Sequence, residues 1–136
     1  MPSSAPLRLA INGYGRIGRC FLRALLESPS AGHLEIVAIN EPANLESMAY
    51  LTRYDSTHGR LRGEVEISGS ALAINGRGIE VSHARTPEAV DWRALDIDLL
   101  IESSGGYGQR AELTRFLDAG CPRLLLSHPG FSGDDV

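Results

Sequence analysis

The 136-residue chain contains no lysine; all thirteen basic residues are arginine. That absence excludes a Walker-type phosphate loop and any Schiff-base lysine, both of which need the amine. Cysteine is scarce. Cys20 and Cys121 lie far apart, form no Cys-x-x-Cys pair, and read as two reduced thiols of a cytosolic protein. No apolar run approaches the roughly 18 residues of a spanning helix. The opening Met1-Pro2-Ser3-Ser4-Ala5-Pro6 carries neither the charged nor the apolar region of an export signal. A cytoplasmic location without a membrane partner is therefore expected. The net charge of −4 and pI near 5.5 argue against nucleic acid, which favours a basic face. His33, His58, His83 and His128 are widely spaced, so no metal set is expected.

What the chain does contain is enough residues for one domain with a real core, and an ordinary soluble composition. Leu7 to Asn12 reads as a buried parallel strand, followed by Gly13-Tyr14-Gly15-Arg16-Ile17-Gly18, a Gly-x-Gly-x-x-Gly turn opening a helix. In such a turn Gly13 permits the sharp bend, Gly15 lets a pyrophosphate approach the main chain, and Gly18 lets the helix pack on its strand. The helix start adds free N–H groups and a positive dipole end. A second strand, Leu34 to Asn40, delivers Glu41, 23 residues after Gly18, where a carboxylate can accept bonds from adenosine ribose hydroxyls. Strand, turn, helix, strand and acid together predict a dinucleotide-binding unit.

The rest of the chain continues the α/β alternation. Ile17, Phe21, Leu22, Leu25 and Leu26 share one helical face, and Ser28-Pro29 with Gly32 ends that helix. Residues 44–54 carry a second helical pattern. Short alternating runs at Val65–Ile67, Leu72–Ile74 and Ile79–Val81, separated by Gly69-Ser70 and Asn75-Gly76, predict hairpins. Trp92 to Leu95 predicts a helical turn, Asp98–Glu102 a buried strand, 109–118 a helix, and Arg123–Ser127 a last strand. The fold class is thus α/β, a Rossmann-type doubly wound and mainly parallel sheet. It carries a small antiparallel meander at about residues 64–82, expected as an appendage to the parallel core.

Five segments in order carry a family resemblance: Ile11 to Arg19, Ala38-Ile39-Asn40-Glu41-Pro42, Tyr54-Asp55-Ser56-Thr57-His58-Gly59-Arg60, Glu102-Ser103-Ser104-Gly105, and Ser127-His128-Pro129-Gly130. With these the chain resembles, from residue 7 onward, the N-terminal NAD-binding half of the glyceraldehyde-3-phosphate dehydrogenase family. Glu41 in place of the usual Asp, and the Ser-His-Pro-Gly run, look more like the erythrose-4-phosphate dehydrogenase branch. The resemblance implies an NAD-binding domain over residues 1–136 with the catalytic domain absent. It also implies no catalytic residue in this chain, since the family's Ser-Cys-Thr-Thr-Asn motif does not occur in it. In the full-length enzyme a hydride would pass from a cysteine thiohemiacetal to NAD, with a sugar-phosphate aldehyde as substrate and a homotetramer as the assembly. The isolated chain would be inactive.

By the same resemblance, Asn12 shapes the turn and Gly13, Arg16 and Ile17 hold the pyrophosphate through their backbone, with Tyr14 and Gly15 in the same turn. Asn40 lies near the adenosine beside Glu41. A carboxylate there repels a 2′-phosphate and Pro42 offers no N–H to bind one, so NAD is expected over NADP. Arg85 approaches the adenine, or is a surface arginine ahead of a turn proline. Ser103, Ser104 and Gly105 serve the nicotinamide-side ribose and phosphate, Tyr107 stands at the family's aromatic position beside them, and Ser127 lies near the nicotinamide amide. Neither Cys20 nor Cys121 sits in the family's cysteine motif, and His58 is expected in a subunit contact. A different class of reading, a stand-alone NAD-binding or assembly module without catalysis, is the alternative.

Overall fold

The computed structural model describes residues 6–28, 31–55, 59–60 and 64–127. The first apolar run forms β1 (Leu7–Asn12), and the Gly turn leads into α1 (Arg16–Glu27). A short 3-10 turn (Ala31–His33) precedes β2 (Leu34–Asn40), and α2 (Leu45–Arg53) follows, its first turn closed by the Asn44 side chain accepting from Ser47 N at 2.8 Å. A two-residue ladder joins β3 (Tyr54–Asp55) to β4 (Gly59–Arg60), which periodicity had not indicated. His58, between these strands, lies outside the described residues, as do Pro29 and the run 128–130.

The meander is β5 (Val65–Ser68), β6 (Ala71–Ile74) and β7 (Arg77–Ser82), joined by two-residue turns. Asn75 and Gly76 both take positive φ, 53° and 82°, the requirement of a type I′ turn whose twist matches the flanking strands. After a 3-10 turn (Pro87–Ala89) come α3 (Trp92–Leu95), β8 (Leu99–Glu102), α4 (Arg110–Asp118) and β9 (Leu124–Leu126). Gln109 and Glu112 close the start of α4 as a reciprocal capping box.

The strands form one sheet in the order β5-β6-β7-β2-β1-β8-β9, with β7, β2, β1, β8 and β9 mutually parallel. This corrects the expectation that the meander is an appendage. Six-residue β7 is long enough to serve two neighbours: Arg77–Glu80 pairs antiparallel with β6, and Glu80–Ser82 pairs parallel with β2. The meander therefore continues the main sheet.

Two cores cover the two faces. On one, α1 and α2 pack Leu22, Met48 and Ala49 against Leu9, Ile11, Ile39, Leu72 and Ile74. On the other, Trp92, Phe116 and Cys121 pack on Ala10, Ala38 and Leu100. The order reverses at β1, with β2 on one side and β8 on the other, so a crevice opens at their carboxyl ends, where open α/β sheets hold ligands.

Candidate functional site

That crevice is a cleft of about 330 Å³. The β1–α1 turn contributes Asn12, Gly13 and Gly15. The end of β2 contributes Asn40, Glu41 and Pro42, and the loop after β7 contributes Ala84, Arg85, Thr86 and Pro87. The loop after β8 adds Ser103, Ser104 and Tyr107. Nine residues singled out from the sequence thus converge, although up to 95 positions separate them along the chain: Asn12, Gly13, Gly15, Asn40, Glu41, Arg85, Ser103, Ser104 and Tyr107.

The turn is held by its glycines. Gly13 has φ +93°, and a Cβ there would lie 2.5 Å from the Ser104 backbone. Gly18 has an equally close neighbour, the Gly13 carbonyl oxygen at 2.6 Å from where its Cβ would stand. Ser103 Oγ donates to that same oxygen at 2.6 Å, and Gly13 N donates to Asn40 O at 2.8 Å. The turn is therefore braced by the ends of β2 and β8 together.

Helix α1 starts without a side-chain cap at Gly15, and the bond closing its first turn runs from Arg19 N to Gly15 O at 3.0 Å. The N–H groups of Arg16 and Ile17 consequently face outward at the positive end of the helix dipole, an arrangement suited to an anion. Both residues are exposed and stand just beyond the cleft wall.

Glu41 is fixed from two sides. One carboxylate oxygen accepts from Tyr14 N at 2.7 Å and the other from Ala43 N at 2.9 Å. Each oxygen retains a second lone pair for a ligand hydroxyl. The following loop is tied to the same place. His83 Nδ1 lies 2.8 Å from Glu41 O and 2.7 Å from Ala43 O, so it must carry the proton, since both neighbours only accept. Tyr107 donates its hydroxyl to Arg85 O at 3.3 Å, joining the loops after β7 and β8.

Besides Arg16 and Ile17, three more of the residues expected at the site lie outside the cleft lining. The Tyr14 ring is buried in the core and its hydroxyl lies 2.6 Å from Thr52 Oγ1 on α2, so only its main chain faces the turn. Ser127 uses both N and Oγ on the Glu102 carbonyl, each at 3.1 Å, closing β9 onto β8. Gly105 is exposed with φ +78° and lies outside the lining. Thr86, expected with Arg85 beside the adenine by the resemblance, also lines the cleft, whereas the sequence reading gave Ala84 and Pro87 no role in the site. It also passed over the buried carboxylate of Glu102, whose signal was an acid closing an otherwise apolar strand.

The thiols do not compete for a role. Burial pushes the Cys121 thiol up to about 12, so it stays protonated near neutral pH, and Cys20 is half-buried within α1. Among the described residues no cluster of His, Cys, Asp or Glu could hold a metal ion, and no helix is long and apolar enough to cross a membrane.

The stretch that holds this turn, acid and strand ends matches a known family. Residues 7–110 match the family described as glyceraldehyde 3-phosphate dehydrogenase, NAD binding domain. The chain belongs to the glyceraldehyde-3-phosphate dehydrogenase family. A glyceraldehyde-3-phosphate dehydrogenase of Geobacillus stearothermophilus is 38% identical over 128 residues, which cover 94% of this chain and 37% of that protein. The chain thus spans little more than a third of that relative's length. NAD is the cofactor of this family domain, and the residues present fit it: a glycine turn open to phosphate, uncapped N–H groups, and an oriented acid at the end of β2.

Proposed function

We propose that this chain is the coenzyme-binding domain, residues 1–136, of an NAD-dependent dehydrogenase that oxidises a phosphorylated sugar aldehyde. Glyceraldehyde 3-phosphate and erythrose 4-phosphate are the two candidate substrates. Glu41 and the Ser127–Gly130 run support the erythrose-4-phosphate branch. The catalytic thiol belongs to a second domain of the full-length protein, a cytoplasmic homotetramer, and the present chain alone does not oxidise aldehydes. When bound, NAD supplies the hydride acceptor.

This chain's residues bind and orient. The N–H groups of Arg16 and Ile17 face the pyrophosphate, which Gly15 admits and Asn12 supports from beneath; Gly13, expected to donate as well, spends its N–H on Asn40 O and serves the bend instead. Tyr14 sets the turn by donating its backbone N–H to Glu41 while its ring anchors the turn to α2. Glu41 takes the adenosine ribose hydroxyls beside Asn40, and Arg85 covers the adenine. Ser103, Ser104 and Tyr107 bound the nicotinamide side, Gly105 turns the loop beyond them, and Ser127 holds the end of β8 there.

The observation that carries this reading is the clamped carboxylate of Glu41. Held by two backbone donors and followed by Pro42, it can neither swing away from a 2′-phosphate nor be replaced by a backbone donor. Two like charges in such a place, with no compensating donor, imply discrimination on the order of 100-fold, about 2.7 kcal/mol. Calorimetric titration with NAD and with NADP tests it. Saturable NAD binding with far weaker NADP binding, and a narrowed gap in Glu41→Gln, is the expected result. Equal affinity for the two would overturn the assignment of Glu41.

A further inference from the structure

Four polar residues stand in one row across the carboxyl edge of the sheet. Strand register sets Ser82 beside Asn40, Asn40 beside Asn12, and Asn12 beside Glu102. Three of them are deeply buried: Asn40 at 5%, Asn12 at 6% and Glu102 at 0% exposure. Unpaired polar groups at such depth are strongly disfavoured, and here the bonds run continuously along the row. Asn12 Nδ2 donates to Glu102 Oε1 at 2.7 Å, and Asn40 Nδ2 donates to Asn12 Oδ1 at 2.8 Å. Asn40 Oδ1 accepts from Ser82 Oγ at 2.8 Å and from Ala84 N at 2.9 Å, while Asn40 Nδ2 also donates to Ala84 O at 3.0 Å.

The row has a direction. An amide side chain presents a donor at one end and an acceptor at the other, and either end can face a neighbour. A carboxylate only accepts. Glu102 therefore forces Asn12 to turn its NH2 toward β8 and its oxygen toward β2. That oxygen forces Asn40 to turn its NH2 toward β1, leaving the Asn40 oxygen for Ser82 and Ala84. Were the amides reversed, two oxygens or two NH2 groups would meet inside the sheet edge.

We propose that Glu102 is a positioning residue for the cofactor cleft. Its acceptor sets the orientation of Asn12 and Asn40 and through them holds Ala84, the residue just before Arg85 in the loop after β7. Ala84 stands three strand spacings from Glu102, about 14 Å across the sheet. At its other side Glu102 accepts from the Ser104 hydroxyl at 2.9 and 3.0 Å, so one carboxylate organises both walls of the cleft. Nothing in this chain of bonds depends on which aldehyde the full-length protein takes.

The test is amide hydrogen exchange by NMR on the whole chain, with adenosine as the ligand probe. Glu102→Met keeps the volume and removes the acceptor; Glu102→Gln keeps one acceptor oxygen. In E102M, exchange at the Ala84 N–H should quicken about tenfold while the amides of β5 and β6 stay as protected as before, and adenosine should bind several-fold more weakly. E102Q should recover most of both effects. Packing alone would make Met and Gln behave alike, and that result, or unchanged Ala84 exchange in folded E102M, overturns the proposal. Should E102M fail to fold, the unsubstituted chain decides. Side-chain NOEs from the Asn40 Nδ2 protons to Asn12 Hβ support the orientation. NOEs to Ser82 Hβ with none to Asn12 overturn it.

Discussion

Glu102 and Arg23 are both charged and both buried, at 0% and 2% exposure, and the structure treats them in opposite ways. Glu102 closes β8 in the parallel part of the sheet, where the end of β1 brings the Asn12 amide and the loop after β8 brings the Ser104 hydroxyl within 3.0 Å. Arg23 sits on α1, and its Nε, Nη1 and Nη2 have no hydrogen-bond partner among the described residues. A helix spends its carbonyls on its own backbone and offers a buried side chain few acceptors, whereas strand ends in register offer a row of them. Burial is thus not one environment in this protein. At the carboxyl edge of the sheet it is an organised polar site, and beneath α1 it is an unmet desolvation penalty.

That contrast can be broken or sharpened by substitution. The largest effect is expected at the braced turn. Gly13→Ala would put a methyl 2.5 Å from the Ser104 backbone at φ +93°, so it should lower stability by on the order of 3 kcal/mol and abolish measurable NAD binding. Wild-type affinity in a calorimetric titration of G13A would show that the turn is far softer than its contacts imply.

Next comes the pair of buried charges itself. E102M strands the Asn12 amide and the Ser104 hydroxyl, and urea melts should show a loss of about 2 kcal/mol. Arg23→Met removes a guanidinium that has no hydrogen-bond partner among the described residues and keeps an apolar stem, so the same melts should show a gain of about 1 kcal/mol. If R23M were as destabilising as E102M, the comparison between the two regions would collapse.

The smallest effect belongs to the surface. Hydrogen bonds from Arg115 to both Glu88 oxygens, each 2.7 Å, hold that carboxyl down at about 2 instead of 4.5. A carboxyl depressed by folding adds stability above its unfolded value, and that stability fades as pH falls from 4.5 toward about 2. Both side chains are exposed, so salt should screen the pair. Melting curves of the wild type and Glu88→Gln should differ slightly at neutral pH and converge as the solution is acidified through that window. A gap that ignores both pH and salt would mean the ion pair is not its source.

Much of this architecture is legible in the residues. The βαβ unit, its glycine turn and the acid at the end of β2 announce themselves because each rests on local rules: apolar runs of strand length, a helical period from Ile17, and glycines where the backbone must bend or approach. The hairpin turn at Asn75-Gly76 is equally local, since only such residues readily take its positive φ. Tyr14 shows where local reading stops. Its place in the turn says it is near the cofactor, yet its buried ring finds Thr52 on α2, 38 residues away. Ser127 likewise caps the Glu102 carbonyl, a partner that only the pairing of β9 with β8 supplies.

The residue order therefore settled most of the elements and the family, because hydrophobic period and glycine placement act within a few residues. Folding in three dimensions decided the rest. It joined the meander to β2 through the length of β7, and it set Ser82, Asn40, Asn12 and Glu102 in a single row. It also left Arg23 without a hydrogen-bond partner among the described residues. These outcomes depend on which strand lies beside which and in what register, and register is a property of the assembled sheet.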